Sequence, residues 1–350
     1  MLNPFDAFAL AQEWLFERLI EPAAFSLGLG NLLEDGFVAT GWLLVGLLQI
    51  AVLLLLIGPA QRRWPVEPVV DRAAIRVDVI YTLLHRLGLF KLAMFFTVEN
   101  WLTDGIGVLR AHGMPTLQLD ALWPGVTDRA LVSFVIYLLV FDFIGYWVHR
   151  AQHQWDWWWR LHAVHHSQRQ LTMWSDNRNH LLDSALNDAI FVAVAIAIGV
   201  APSQFVGLVA VTQLFESLQH ANLRCSFGRV AERLLVSPRF HRRHHAIGVG
   251  HEARSAREPS AAGPPQGASA PLGGSEPRAA GSVGANIRGV NFGVLFSCWD
   301  ALLGSADWAG GREPTGIRDQ VEQGRDYGRG FWAQQWLGLK RLAGRDGVAG

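Results

Sequence analysis

The chain alternates long apolar tracts with short polar connections. Residues 38–60 run for 23 positions without a charge, which at about 1.5 Å per helical residue covers a hydrocarbon layer of about 30 Å. The tract starts too far along the chain, and lacks the basic leader, to read as a cleaved signal peptide, so a retained transmembrane helix is expected. A second span is expected at about 77–98, where His85, Arg86 and Lys91 must snorkel or face other helices. A third covers 130–148, apolar except for Asp142, and an uncharged tract follows at 189–215, broken by Ala201-Pro202-Ser203. That tract is one kinked span or two limbs of a hairpin. If His180 before it and His220 after it serve one site, both ends lie on one membrane face, and only the hairpin allows that. Residues 8–20 and 331–342 have amphipathic helical spacing with Trp and charged edges and read as interfacial helices or as ordinary surface helices. Trp155 and Trp157–Trp159 read as an aromatic belt at headgroup level, with a buried aromatic core as the alternative.

Basic residues orient this bundle. Residues 1–37 carry six acids and one Arg, and 99–129 carry four acids and two Arg, whereas Arg62, Arg63, Arg72 and Arg76 crowd the first connection. By the positive-inside rule that connection is cytoplasmic, and counting spans onward places Arg150, Arg160, Arg169, Arg178, Arg239, Arg242 and Arg243 on the same side. The expected fold is therefore all-α: a polytopic membrane bundle of about four or five helices, with a cytoplasmic helical cap. Residues 253–284 are almost all Ala, Gly, Pro, Ser and charge, a composition expected to stay disordered as an insertion. Overall charge is balanced at 30 basic against 30 acidic side chains, which excludes nucleic-acid binding driven by net charge. The two cysteines, Cys225 and Cys298, form no CxxC and build neither a redox dithiol nor an iron–sulfur site.

Histidine is where the chemistry concentrates. Three clusters occur: His149 with His153, His162 with His165 and His166, and His241 with His244 and His245. Helical positions three and four apart share a face, so each cluster points its imidazoles at one place. With 13 His in 350 residues, chance supplies about 0.02 HxxHH patterns, and this chain has two. Neutral imidazole suits iron, zinc, copper or nickel, and eight such rings exceed the needs of one ion. His180 and His220 flank the hairpin and are read as further ligands, with hydrogen-bonded structural roles as the alternative. His85, His112 and His251 read as structural. Asp142 lies seven residues before His149, Glu216 four before His220 and Asn222 two after it. These three are expected to support the ligands, the carboxylates by accepting the second N–H of an imidazole, or else to serve packing alone.

From Asp142 to Ser305 the ordered motifs resemble the fatty acid hydroxylase / sterol desaturase superfamily of integral membrane di-iron oxygenases. They are Asp142-Phe143, Tyr146-Trp147, His149-Arg150, His153, Leu161-His162, His165-His166-Ser167, His220 with Asn222, Pro238, His241-Arg242, His244-His245, Asn291-Phe292-Gly293, and Trp299-Asp300 with Gly304. The resemblance implies that the three clusters ligate two iron ions, which zinc can replace on purification. His220 matches an additional family histidine, and His180 one carried by some members in an RxHxxE/D segment, where Asp183 stands for the acid. It further implies O2-dependent hydroxylation or desaturation of a lipid C–H bond (fatty acyl, sterol or related), fed with electrons by a separate ferredoxin or cytochrome with its reductase. The insertion before Asn291 departs from the family pattern and removes no ligand. The domain layout that follows is an interfacial segment at 1–37, the first two spans at 38–129, a hydroxylase-like catalytic domain at 130–305 and a tail with an amphipathic helix at 306–350. The competing readings are a histidine-rich membrane protein that binds or transports metal without oxygenase activity, and a haem carrier. The first lacks paired intramembrane repeats, and the second wants histidines deep within facing spans.

Overall fold

The computed structural model describes residues 4–249 and 287–345. Among them the regular structure is helical, with one isolated β-bridge between Ala246 and Thr315. The N-terminal helix α1 (Pro4–Leu15) leads into the long apolar helix α2 (Gly30–Arg63). Next come α3 (Arg72–Arg86) and α4 (Leu89–Ala111), which meet at a 55° bend where Gly88 takes φ +78°. The remaining long helices are α5 (Ala130–Gln154), α6 (Asp156–His166), α7 (Leu181–Ile198) and α8 (Pro202–His220). Short α9 (Pro238–His244), α10 (Cys298–Leu303) and the tail helix α11 (Phe331–Leu342) complete the architecture.

Three of these, α2, α5 and α7, are long and apolar enough to cross a membrane, and the bent α3–α4 pair makes a fourth if taken as one span. The all-α membrane bundle therefore stands. Helix α8 is not among the spans; Gln204, Gln213, Glu216 and Gln219 interrupt its apolar character. The expected hairpin is present: Gly199, with φ +70°, ends α7, and Ala201-Pro202 starts α8. Its two outer ends return to one place, because Asp183 near the start of α7 meets His162 at 3.0 Å while His220 at the end of α8 meets His165 at 3.1 Å. The third span runs farther than its apolar tract and carries His149 and His153 on the same continuous helix.

Several charged residues inside the bundle are paired, as a low-dielectric interior favours. Arg86 binds Asp176 at 2.7 Å and Ser217 at 2.9 Å, and Asp78 accepts from Arg178 at 2.8 Å. The tail helix is a brace as well as an amphipathic surface. Trp332 and Trp336 are exposed, while Gln334 and Gln335 bond Tyr81 of α3 and Arg341 bonds the carbonyl of Arg160 on α6. The tryptophan run divides: Trp155 and Trp157 are about half exposed, but Trp158 is buried and donates to Asp183 at 2.7 Å. The expected insertion at 253–284 and His251 lie outside the described residues.

Helices α2 and α3 touch through Gly46. A Cβ at that position would stand 1.6 Å from the backbone oxygen of Arg86, so only glycine lets the two helices approach this closely. Gly46→Ala should lower stability by about 1–3 kcal/mol, seen as a lower unfolding temperature of the purified protein. Gly105→Ala, whose added carbon meets nothing within 4 Å, is the matched control and should leave that temperature unchanged or slightly raised.

Candidate metal centre

Four segments deliver the imidazoles. The last turn of α5 presents His149 and His153, one helical turn apart. Trp155 is extended, with φ −95° and ψ 115°, and this break turns α6 so that His162, His165 and His166 face them. Helix α9 is started by Ser237, whose Oγ accepts the N–H of Phe240 at 3.2 Å, and by Pro238 at its first position. It carries His241 and His244, with His245 at its end. The end of α8 adds His220.

These nine side chains form two groups: His149, His153, His162, His166 and His244 in one, and His165, His220, His241 and His245 in the other, each with its ligand nitrogens within 4.8 Å of one another. All nine are buried, at 9% exposure or less. Burial, reinforced by the neighbouring imidazoles, holds His165, His166, His241 and His245 well below the usual histidine range, and burial holds His244 at about 3. They are neutral at ordinary pH, the form that ligates metal.

Fixed hydrogen bonds set which nitrogen is free. His149 Nδ1 donates to the carbonyl of Phe292 at 2.9 Å, His244 Nδ1 to that of Val290 at 2.7 Å, His220 Nδ1 to that of Glu216 at 2.7 Å, and His162 Nδ1 to Asp183 Oδ2 at 3.0 Å. In each ring the proton sits on Nδ1 and the Nε2 lone pair is left to ligate. His162 Nε2 has no hydrogen-bond partner among the described residues. Elsewhere Nε2 atoms face one another: His165 with His220 at 3.1 Å, His220 with His241 at 3.0 Å, His241 with His245 at 3.1 Å and His166 with His244 at 3.1 Å. Lone pairs aimed together at that range repel unless a proton or cation lies among them. Metal–nitrogen bonds of about 2.0–2.1 Å put neighbouring ligand nitrogens roughly 3.0–3.4 Å apart, so these residues fit metal ions, and the all-imidazole donor set suits iron, zinc, copper or nickel.

Residues 134–253, which contain every one of these histidines, match the family model described as fatty acid hydroxylase. This part of the chain resembles a fatty acid hydroxylase domain. Over 175 residues the chain is 30% identical to the ornithine lipid hydroxylase OlsE of Rhizobium tropici, a match that covers 48% of this chain and 49% of that protein. The chain thus spans about half the length of that curated relative. No solved structure matches it.

Around these histidines, several supporting roles differ from expectation. His180 joins neither group. Its Nδ1 accepts the N–H of Leu182 at 3.1 Å, capping α7, and its Nε2 donates to the carbonyl of Gln335 at 2.9 Å, so both nitrogens are occupied. Asp142 meets no imidazole; it accepts from the N–H groups of Leu295 at 2.7 Å and Phe296 at 3.0 Å and from Trp299 Nε1 at 2.8 Å. Glu216 holds His220 through its backbone carbonyl, not its carboxylate. Asn222 is turned toward the α2–α3 connection, accepting from Val66 and Glu67 N–H and donating to Glu67 O at 2.7 Å.

The carboxylate that does meet a ring is Asp183, which also accepts from Gln152 at 2.8 Å and Trp158 at 2.7 Å. Its only sequence signal was its place three residues after His180. Equally hidden was the part played by 290–300. Val290 and Phe292 supply the carbonyls that orient His244 and His149, and Asn291, at φ 58°, donates to Phe240 O at 2.9 Å and Asp307 O at 3.0 Å. Asp300 clasps the N–H groups of Phe292 at 2.8 Å and Gly293 at 2.7 Å. With Asp142 at its far end, this segment is a clamp against the centre.

A cavity of about 320 Å³ opens beside the histidines, bounded by α2, α3, α5, α7 and α8 and reached by His149, His162, His165, His220 and His241 from the two groups. It gives a molecule within the bundle direct access to both.

Two measurements check the centre. Elemental analysis of never-chelated protein should find metal, with His244→Ala and His241→Ala each removing part of it, and Asp183→Asn should weaken retention about 10–100-fold. Acid should also unfold the metal-free protein. The folded pKa values of His165, His166, His241, His244 and His245 lie below the unfolded value near 6.5, so the unfolded chain binds more protons. Their contribution is complete above that value and is lost progressively as pH falls from it toward the folded values, which should lower the unfolding temperature steadily from pH 7 to pH 5.

Proposed function

We propose that this protein is a membrane-embedded lipid hydroxylase whose two histidine groups hold two iron ions. The observation that carries the reading is the pair of buried, pre-oriented imidazole groups within the residues that match the fatty acid hydroxylase model, at the wall of a cavity between membrane helices. The relative's name, ornithine lipid hydroxylase, supports a lipid as substrate. The overall change is R–H + O2 + 2 electrons + 2 protons giving R–OH and water. Bound iron supplies the activation of O2, and a separate reduced carrier, a ferredoxin or a cytochrome with its reductase, supplies the electrons.

The protein's own part is positional. Asp183, Val290, Phe292 and Glu216 hold four rings in one tautomer, and the bundle keeps bulk water away from the reacting carbon. The catalytic unit is read as reaching past the matched residues to about 305, because the clamp is needed to orient His149 and His244. The centre is assigned to the cytoplasmic side from the Arg62, Arg63, Arg72 and Arg76 cluster at the same end of α2 and α3.

Cells making the protein should yield a lipid heavier by one oxygen, which carries 18O when they are grown under 18O2. His162→Ala or His244→Ala should abolish it. Turnover unchanged in these variants would overturn the assignment, and metal flux across proteoliposomes without any oxidised lipid would favour a transporter.

A further inference from the structure

The histidines of the first group do not all face the cavity. His149 and His162 reach its wall, whereas His153 and His166 lie off it. What these two meet instead is Trp159, whose ring centroid is 5.1 Å from that of His153 and 5.3 Å from that of His166. Trp159 stands three residues before His162 and seven before His166 on α6, so helical spacing keeps the three on one face. Phe292 also lies against the group, 5.4 Å from His153 and 6.0 Å from His149. A phenyl ring gives up an electron with difficulty, an indole far more readily. Trp159 is thus an oxidisable side chain in contact with two ligating rings, placed off the cavity wall.

Behind Trp159 is a second redox-active ring. Trp159 packs against a buried cluster of Ala163, Ile317 and Tyr327. The Tyr327 hydroxyl donates to Asp319 Oδ1 at 2.9 Å, and Arg325 holds the same carboxylate at 2.8 Å. Burial, with the Asp319 charge beside it, pushes the Tyr327 hydroxyl above its usual range, so at rest it keeps its proton. Two guanidinium groups lie against the tyrosine ring, that of Arg341 at 4.6 Å and that of Arg325 at 5.9 Å from its centroid. They oppose a positively charged ring but not a neutral radical whose proton has moved to Asp319. Oxidation of Tyr327 is therefore tied to proton transfer along a hydrogen bond that already exists.

Building on the hydroxylase reading, we propose that Trp159 and Tyr327 form an electron relay that returns the iron centre to rest when dioxygen has oxidised it and no lipid C–H bond lies in the cavity. One electron passes from the Trp159 indole to the centre. Tyr327 then gives one electron to Trp159 and its phenolic proton to Asp319, so the indole is restored, the centre is reduced by one electron and Tyr327 is left a neutral radical. The reduced carrier returns an electron to Tyr327 as Asp319 gives the proton back. Two such passes, with two protons from water, supply what the C–H bond would have given and complete the reduction of the oxygen to water. The relay draws off oxidising power that would otherwise fall on the ligating imidazoles.

The test uses the full chain loaded with iron(II) in lipid-free detergent and mixed with dioxygen, and in a parallel sample the iron(III) form mixed with hydrogen peroxide. Both are freeze-quenched and read by electron paramagnetic resonance, and protein made with ring-deuterated tyrosine assigns the signal. The unaltered protein should give a tyrosine radical. Tyr327→Phe should replace it with a tryptophan radical, and Trp159→Phe should lower the organic radical about tenfold or more with iron content unchanged. Over repeated cycles, peptide mass spectrometry should find added oxygen on the histidines of the first group in Trp159→Phe and much less of it in the unaltered protein. If Trp159→Phe does not fold, Tyr327→Phe decides alone: a tyrosine radical undiminished in that variant overturns the proposal. No organic radical with either oxidant, or one that Trp159→Phe leaves unchanged, also overturns it, and 18O in a lipid would still leave the hydroxylase reading standing. A radical that peroxide produces and dioxygen does not, with no 18O in any lipid, would instead uphold the relay and defeat the hydroxylase reading.

Discussion

Nine imidazoles packed in a dry interior are the constraint on which the rest of the molecule depends. Burial disfavours the charged form of His165, His166, His241, His244 and His245, and facing Nε2 lone pairs cannot approach to about 3 Å without a cation or shared proton among them. The centre therefore requires each ring to be oriented, with a cation or a shared proton between the facing nitrogens. Helix ends and loops around it answer that requirement: a break at Trp155 sets α6 against α5, Ser237 and Pro238 start α9 at the right place, and the α7–α8 hairpin brings Asp183 and His220 to the same end.

Orientation is supplied largely by backbone, and this explains why acidic residues lie one step away from the histidines. A carbonyl accepts an Nδ1–H without adding a charge to the interior, but it must itself be immobile. Asp142 and Asp300 provide that immobility by gripping the N–H groups of 292, 293, 295 and 296, and Asn291 ties the same segment to α9. The two acids act on the rings through a strand of backbone. Asp183 alone among the three buried acids meets a ring directly, and its other oxygen is satisfied by Gln152 and Trp158.

Membrane placement and chemistry share the same helices. The spans are rich in apolar residues, yet they bring Arg86, Lys91 and Asp188 to the cavity, and α8 adds Glu216. Most of these polar groups are neutralised by ion pairs, Arg86 with Asp176 and Lys91 with Asp188 and Glu99.

Periodicity and composition were enough to determine the all-α membrane class, the hairpin, the reach of α11 and the eight clustered histidines, because helical spacing of three and four converts directly into a shared face. Spacing could not decide His180, Asp142, Glu216 and Asn222. Each lies near a histidine in sequence, but which way its side chain turns depends on helices and loops far along the chain. His180 is captured by Gln335 of α11, Asn222 by Glu67, and Asp142 by residues 295–299, all more than 150 positions away. Local pattern sets which residues share a helix face; only the tertiary structure decides what that face meets, because hydrogen-bond partners in a buried site are chosen by proximity in space and by the need to leave no polar group unpaired.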